Sequence, residues 1–383
     1  MTLSMLRPVG NRVPLPEVSA EGEYPWHSYN TEFMDSGTSS LYVALVCAKK
    51  LRPDVEDPEV IMPAYGCPDL IAAAVAAGVR PVLVDLVKDS PWMDEEGVTS
   101  RVSENTVAIL AVNFLGILAP LSGLRVIADE HSIFLIEDSA QAIPPSSAHS
   151  NEADFVVLSF GRGKPVNLMG GGALLYRHSY NSVVSDVINM YPGTSIVCDV
   201  RWHLKRGLFN LLMSRIAYGV LLRIPMLHLG ETRFHALGEI RRLSIPRALV
   251  LSGITKFSGS SSRVRVWFQE LHHLEEEGWL LLHGNNSESD EPESNFQQAL
   301  RFGVLAQSTV DRDCAIRELN KIGIGANALY GVCLPAISGV SEYTKDDENS
   351  FPNAENFAKR LLTLPVHDGV TDQDIRKAVG ALL

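Results

Sequence analysis

The feature that most limits the fold is an alternation, between residues 39 and 159, of short continuous apolar runs with segments of helical spacing. The runs are VIMP ending at Pro63, PVLVD (81–85), VAILAVN (107–113) and IFLIED (133–138). Uninterrupted apolar runs of this length are typical of strands buried on both faces. The segments between them have the apolar spacing of helices: SSLYVALVCAKKL from Ser39, PDLIAAAVAAG from Pro68, closed by Gly78, and LRVIADEHS from Leu124. The sequence therefore predicts an α/β fold with a parallel sheet covered by helices.

Polar residues follow the ends of several predicted strands, which is where ligands bind in such sheets. The stretch MDSGTSSLYVAL places Gly37, Thr38 and Ser39 at the start of a helix, where free N–H groups and the helix dipole favour a phosphate. The other positions are Asp138 and Gln141 in IEDSAQA, and Ser159 and Lys164 in VVLSFGRGK. Taken singly, each has an ordinary explanation as a helix cap or a surface side chain.

Lys164 lies in a turn next to the glycines of GGG at 170–172. A phosphate-binding P-loop is excluded, because its first glycine would fall at Leu158 and its Ser or Thr at Pro165. An amine next to a strand-end carboxylate and a phosphate cradle is what pyridoxal phosphate requires, since the amine condenses with its aldehyde and the carboxylate keeps its ring nitrogen protonated. The combination predicts a pyridoxal-phosphate enzyme.

Charge and cysteine content exclude other classes of protein. The 383 residues carry a formal net charge of −12, which argues against a nucleic-acid partner. The five cysteines are scattered and include no C-x-x-C pair, so we expect neither a disulfide framework nor a metal site, and a reducing, cytoplasmic setting. We expect no signal peptide and no transmembrane helix.

The ordered motifs SGTSSLYVAL, VIMPAYGCPDLIAAAVAAGVRPVLVDL, IEDSAQA, LSFGRGK and GGGALLYR resemble the DegT/DnrJ/StrS family of fold-type I pyridoxal-phosphate enzymes, best known as nucleotide-sugar aminotransferases. The resemblance continues through RELNKIGIGANALYG and FPNAENFAKRLLTLPVHDGVTDQDI and covers most of the chain.

The resemblance implies roles for single residues. Lys164 would bind the cofactor covalently and move protons, and Asp138 would pair with the ring nitrogen. Gln141 would lie beside the ring, and Gly37, Thr38, Ser39 and Ser159 would hold the phosphate.

The implied activity is transfer of an amino group from an amino acid, usually glutamate, to a nucleotide-linked keto-sugar, in glycan or polysaccharide biosynthesis, by a homodimer. The implied architecture is a large, mostly parallel domain at 1–245 and a smaller α+β domain at 246–383.

The chain also departs from the family pattern. Cys67 stands where members usually stack an aromatic ring on the cofactor, which leaves Tyr65 as the nearest stacking candidate. The stretch NFLG supplies Asn113 and Leu115 where the family often has His and Tyr. In EIRRLSIPRALVLSG, Arg242 is a candidate for an interface arginine, but the family's Asn is missing.

Three alternatives to a sugar aminotransferase follow from the resemblance. They are an inactive paralogue with a regulatory or scaffold role, an enzyme of the same fold acting on a non-sugar substrate, and a sugar dehydratase. Dehydratases of this fold place His at the lysine position, so Lys164 argues against the last of these.

The segment 202–230 is apolar with interspersed Lys and Arg. Packing in the dimer or over the active site is the favoured interpretation, and contact with a membrane surface is the alternative.

Overall fold

The computed structural model describes residues 10–17, 22–143, 152–221, 232–258, 263–282, 299–344, 350–367 and 369–382. Nine strands form the main sheet: β1 (Asn30–Met34), β2 (Glu59–Pro63), β3 (Arg80–Val84), β4 (Thr106–Val112), β5 (Phe134–Asp138), β6 (Phe155–Ser159), β7 (Gly172–Tyr176), β8 (Gly193–Ser195) and β9 (Arg242–Ser244). Their order across the sheet is β3-β2-β4-β5-β6-β7-β1-β9-β8.

The sheet is parallel where the apolar runs predict it. Strands β3, β2, β4, β5 and β6 are mutually parallel, whereas β7 is antiparallel to both β6 and β1. In register, Val112 pairs with Asp138 and Asp138 with Val157. The carboxyl ends of β4, β5 and β6 therefore lie side by side, and the predicted site residues that follow them lie at one edge.

Twelve helices are present in the described part of the chain: α1 (Gly37–Leu51), α2 (Asp69–Ala77), α3 (Glu95–Arg101), α4 (Leu121–Glu130), α5 (Asn181–Ile188), α6 (Val200–Leu212), α7 (Arg215–Leu221), α8 (Arg247–Ser258), α9 (Arg263–Leu271), α10 (Thr309–Lys321), α11 (Pro352–Arg360) and α12 (Asp372–Leu382). The helices predicted from Ser39, Pro68 and Leu124 correspond to α1, α2 and α4. Within the described residues, no helix has the length and apolar character needed to cross a bilayer.

Strands β2 to β7 of the main sheet are buried on both faces, as the continuous apolar runs indicate. Within β4, Ala108 and Leu110 belong to one hydrophobic cluster, whereas Ile109 and Ala111 belong to another. Successive side chains of a strand point to opposite faces. The first cluster includes apolar residues of α1, α2 and α11, and the second includes those of α4 and α8.

A smaller antiparallel sheet lies later in the chain. Its strands are β10 (Leu280–Leu282), β11 (Arg301–Leu305) and β12 (Leu361–Pro365), with β11 in the middle. A third cluster packs this sheet against α9, α10 and α12. The fold is thus the expected one, a large mostly parallel sheet with a smaller α+β part. The boundary between 245 and 246 stays a proposal, and α8 packs through Leu249 and Val250 against the main sheet.

Candidate active site

The amino terminus of α1 meets the end of β6. Ser36 caps the helix with an extended backbone, and its Oγ accepts the N–H of Ser39 at 3.0 Å. A Cβ built on Gly37 would lie 2.7 Å from the Cβ of Ser159, so only glycine allows this approach. The first turn of α1, with its free N–H groups, therefore faces the hydroxyl of Ser159.

The GGG run makes a second close approach to α1 possible. A Cβ on Gly172 would lie 2.5 Å from the backbone of Ser36 and Gly37. Gly170 and Gly171 adopt φ angles of 150° and 95°, which side chains disfavour. The glycines that follow the lysine thus bring β7 against the helix terminus.

Thr38 and Ser39 differ in their availability to a ligand. The Thr38 side chain is partly exposed, and its Oγ1 donates to Oδ2 of Asp69 at 3.3 Å. Ser39 is 1% exposed, and its Oγ pairs with that of Ser36 at 2.9 Å. Both the N–H and the Oγ of Ser39 are therefore already bonded to Ser36, whereas the Thr38 side chain is partly exposed.

Asp138, the last residue of β5, is a buried carboxylate close to the charge of Lys164. Its Oδ1 accepts the N–H of Ala140 at 2.9 Å. Burial raises the pKa of Asp138, and the positive charge of Lys164 and the bond from Ala140 oppose that shift. Lys164 itself is partly exposed. The structure therefore brings together the carboxylate and the amine that the sequence predicts as partners.

Cys67 lies at the same edge. Burial raises the pKa of its thiol to about 12, the charge of Asp69 adds to the increase, and Lys164 opposes it. The thiol is therefore protonated at neutral pH. The charges of Lys164 and Asp138 act on Cys67, whereas the causes that shift the pKa of Tyr65 are burial, Tyr330 and Arg312.

Tyr65 lies inside an aromatic cluster. It is 2% exposed, and its ring makes edge contacts with Phe114, Tyr330 and Phe357 at centroid distances of 5.5, 5.6 and 5.2 Å. The proposed stacking of Tyr65 on a cofactor stays a prediction.

Gln141 bridges two distant parts of the chain. Its Oε1 accepts the N–H of Leu115 at 3.1 Å, and its Nε2 donates to the Tyr330 hydroxyl at 3.4 Å. Leu115 has a φ of 56°, a conformation that branched side chains rarely adopt. In this conformation the Leu115 N–H points at Gln141. The bond fixes the side-chain amide of Gln141, three residues after Asp138 in the sequence.

Asn113 has a structural role. Its Nδ2 donates to Glu137 and Ser139 at 2.6 and 2.7 Å, and its Oδ1 accepts the N–H of Ala119. Strand alternation places Glu137 on the face opposite Asp138. Asn113 is 1% exposed and supports the end of the sheet from that second face.

The lysine loop is held by the amino-terminal segment. Asn11 Nδ2 donates to the carbonyl of Pro165 at 3.0 Å, and Asn167 Nδ2 donates to the carbonyl of Asn11 at 2.8 Å. Both asparagines are buried. These two bonds fix the loop on the carboxyl side of Lys164.

Arg242 lies in β9 at the far side of the sheet, where its Nη1 donates to Asn189 Oδ1 at 2.9 Å. Its sequence-based role at a subunit interface stays a prediction.

Three residues outside the prediction join the site: Asp69, Tyr330 and Asn11. Tyr330 lies between Leu329 and Gly331, both with positive φ, in a loop distant in sequence from the strand ends. The glycine that follows it is its one weak sequence signal. Nothing in the local sequence distinguishes Asn11 or Asp69.

The arrangement fits pyridoxal phosphate. The hydroxyl of Ser159 and the Oδ2 atom of Asp138 accept or donate no hydrogen bond within the described residues, and both lie at the edge where α1 begins. A helix terminus with hydroxyls suits the phosphate, a buried carboxylate suits the ring nitrogen, and a lysine amine suits the aldehyde.

Comparison with known proteins gives curated relatives that are similar in sequence. A dTDP-4-dehydro-2,6-dideoxy-D-glucose 3-dehydratase from Saccharopolyspora spinosa is 24% identical over 91% of this chain and 75% of its own length. GDP-perosamine synthase from Vibrio cholerae is 26% identical over 49% of this chain and 53% of its own length.

A solved structure supports the fold. NtdA from Bacillus subtilis, determined with bound cofactor PMP, superposes with a TM-score of 0.67 at 18% identity, over 93% of this chain and 74% of that one.

The family model matches residues 31–184 and 263–383, which include every predicted site residue. Its members use pyridoxal phosphate, the cofactor for which the strand-end residues are suited. The chain belongs to the DegT/DnrJ/EryC1/StrS aminotransferase family.

Proposed function

We propose that this protein is a pyridoxal-phosphate-dependent aminotransferase that moves the amino group of an amino acid, with glutamate as the first candidate, onto the keto group of a nucleotide-linked sugar. The observation that carries the proposal is the placement of Lys164 next to Asp138, at the sheet edge where Ser159 faces the start of α1. The names of both curated relatives specify nucleotide-linked sugars, which supports that class of acceptor.

In this proposal, different residues of the chain bind the cofactor and transfer protons. When bound, pyridoxal phosphate supplies an aldehyde and a protonated ring that withdraws electrons. Asp138 would keep the ring nitrogen protonated, and the N–H groups of α1 with the hydroxyls of Thr38 and Ser159 would hold the phosphate.

Lys164 then acts as general base and acid. Its amine would take a proton from the substrate carbon and would later return one, which requires the amine to move between two positions. Gln141, which is fixed by Leu115 and Tyr330, would lie beside the ring and would limit its movement.

We further propose a homodimer and a cytoplasmic location, within pathways that build glycans or polysaccharides. All five cysteines are free, which suits a reducing compartment. Light scattering on the purified protein measures the oligomeric state directly.

The first experiment is a visible absorption spectrum of the protein with pyridoxal phosphate, recorded before and after addition of L-glutamate, for wild type and Lys164→Ala. We expect a cofactor band in the wild type that glutamate converts to the pyridoxamine form and that the variant lacks. Turnover should fall by about 10²- to 10⁴-fold in the variant, the usual contribution of a positioned acid–base group.

Lys49→Ala is the matched control, because among the described residues the Lys49 amine bonds only to the Gly78 carbonyl, on an exposed surface. A band that depends on Lys164 but does not change when glutamate is added would indicate another amino donor or another reaction, such as the dehydration named for one relative. Absence of any band in the wild type would refute the enzyme proposal and favour a scaffold role.

A further inference from the structure

The exposed apolar side chains of the protein are concentrated in one short region. Of the sixteen large apolar side chains exposed in the described residues, eight lie between residues 197 and 220. Four of them, Val200, Leu204, Leu208 and Leu211, lie on one face of α6, because residues three or four apart share a helix face. We call these four residues the α6 apolar face. Their exposed fractions are 74, 70, 58 and 63%.

The opposite face of α6 is already in contact with the protein. Trp202 is buried and Phe209 packs with the same cluster of the main sheet. Arg206 Nε donates to the carbonyls of Val13 and Pro14, and Asn210 bonds to both the N–H and the carbonyl of Val13. The helix is therefore anchored through its inner face, and the α6 apolar face points away from the core. The next helix, α7, continues the exposure with Ile216 at 70% and Val220 at 49%.

The charged side chains around the α6 apolar face are basic. No acidic residue occurs between Asp199 and Glu231, whereas five basic ones do, in a chain with a formal net charge of −12. Arg201 and Lys205 adjoin the α6 apolar face, are exposed, and form no ion pair with the described residues. Arg215, by contrast, is paired with Asp374 at 2.8 Å. Residues 222–230 of the segment singled out from the sequence lie outside the described residues.

The α6 apolar face and α7 lie in residues 185–262, which the family model leaves unmatched. This surface is therefore outside the part of the chain that the family model describes. A two-fold contact with a second copy would place the same patch of each subunit opposite itself, so its basic edges would meet basic edges. An anionic lipid surface, in contrast, accepts both the leucines and the cations.

We propose that α6 and α7 dock the protein on the surface of an anionic lipid membrane. The α6 apolar face enters the boundary between headgroups and acyl chains, and Arg201 and Lys205 contact the lipid phosphates. The helices lie in the plane of the interface, and the enzyme is held there as a peripheral protein.

The test is flotation of the purified holoprotein with phosphatidylcholine vesicles that contain phosphatidylglycerol, compared with vesicles of phosphatidylcholine alone. We expect binding to the mixed vesicles that weakens as salt is raised, because salt screens exposed charges. Leu204→Glu with Leu208→Glu should lower the partition coefficient by about tenfold or more. Arg201→Ala and Lys205→Ala should each lower it by about fivefold.

The matched control is Val126→Glu with Val310→Glu, which changes two exposed apolar residues on α4 and α10, at 56 and 76% exposure. This variant should float like the wild type. Absence of wild-type binding, or equal loss in the control, would overturn the proposal. A third outcome would also overturn it: the wild type does not bind vesicles, and light scattering shows that the Leu204→Glu and Leu208→Glu variant has lost a subunit. The α6 apolar face would then be a subunit interface. The readout is independent of transaminase activity, so the two proposals fail separately.

Discussion

At the scale of single residues, Glu137 is the buried group with the clearest pH dependence. Burial raises its pKa from 4.5 to about 7, while bonds from Ser139 and Asn113 oppose the shift. Between these two pH values the folded protein holds a proton that the unfolded chain has lost. The free energy of unfolding therefore falls as pH rises through this window, by on the order of 3 kcal/mol in total.

Glu137→Gln should remove this loss, because the amide cannot ionise and its Oε1 can still accept from Asn113 and Ser139. We expect the variant to gain on the order of 3 kcal/mol relative to wild type between pH 5 and pH 8. Urea unfolding at both pH values, at one fixed concentration of pyridoxal phosphate, measures the difference. A stability difference that stays constant with pH would contradict the assignment.

Gly172 is a second residue with a measurable constraint. Gly172→Ala places a Cβ 2.5 Å from the backbone at Ser36, so α1 or β7 must shift, at a cost of about 1–3 kcal/mol. Because the shift moves the helix terminus that we propose to hold the phosphate, affinity for pyridoxal phosphate should fall with stability. Gly380→Ala, where the added Cβ meets nothing within 4 Å, is the control and should be neutral or slightly stabilising. Equal melting temperatures for Gly172→Ala and wild type would be incompatible with the packing described.

At the scale of elements, the amino-terminal segment and the lysine loop act as one unit. Asn11→Ala leaves the buried carbonyl of Pro165 without its donor, which costs about 1–3 kcal/mol. We expect faster release of pyridoxal phosphate from this variant, since the loop that carries Lys164 loses a support. Stopped-flow dilution, followed at the cofactor band, measures the release rate.

The comparison variant is Asn30→Ala, whose side chain bonds to Asn181 and His178 at the exposed surface. It should change stability by no more than about 0.5 kcal/mol. If Asn11→Ala and Asn30→Ala release cofactor equally fast, the loop is held by other contacts.

At the scale of the whole molecule, the sequence predicts what depends on local pattern and strand order. The runs at β2, β4 and β5 are apolar throughout because both faces of the sheet are covered. Once those strands are parallel, Asp138 and Ser159 must lie at one edge, so these parts of the site could be predicted without coordinates.

The remaining parts depend on packing between distant segments, for which the local sequence carries no pattern. Tyr330 reaches Gln141 from 189 residues away, and Asn11 reaches Pro165 from 154 residues away. Asn113 shows the opposite case, because it follows β4 where a site residue is expected, yet its bonds turn it toward Glu137. A residue's position at a strand end is predictable, whereas the direction of its side chain is decided by its hydrogen-bond partners.

The bonds between Val13 and α6 have a consequence for the order of events during synthesis. Val13 leaves the ribosome before its partner Asn210, which follows 197 residues later. At usual elongation rates this interval is on the order of ten seconds or more. Val13 must wait that long for its partner on α6, whereas Asn11 can reach Pro165 after 154 residues, before Asn210 is translated. Cofactor capture is therefore a late event in the maturation of the chain, after most of the main sheet has been translated.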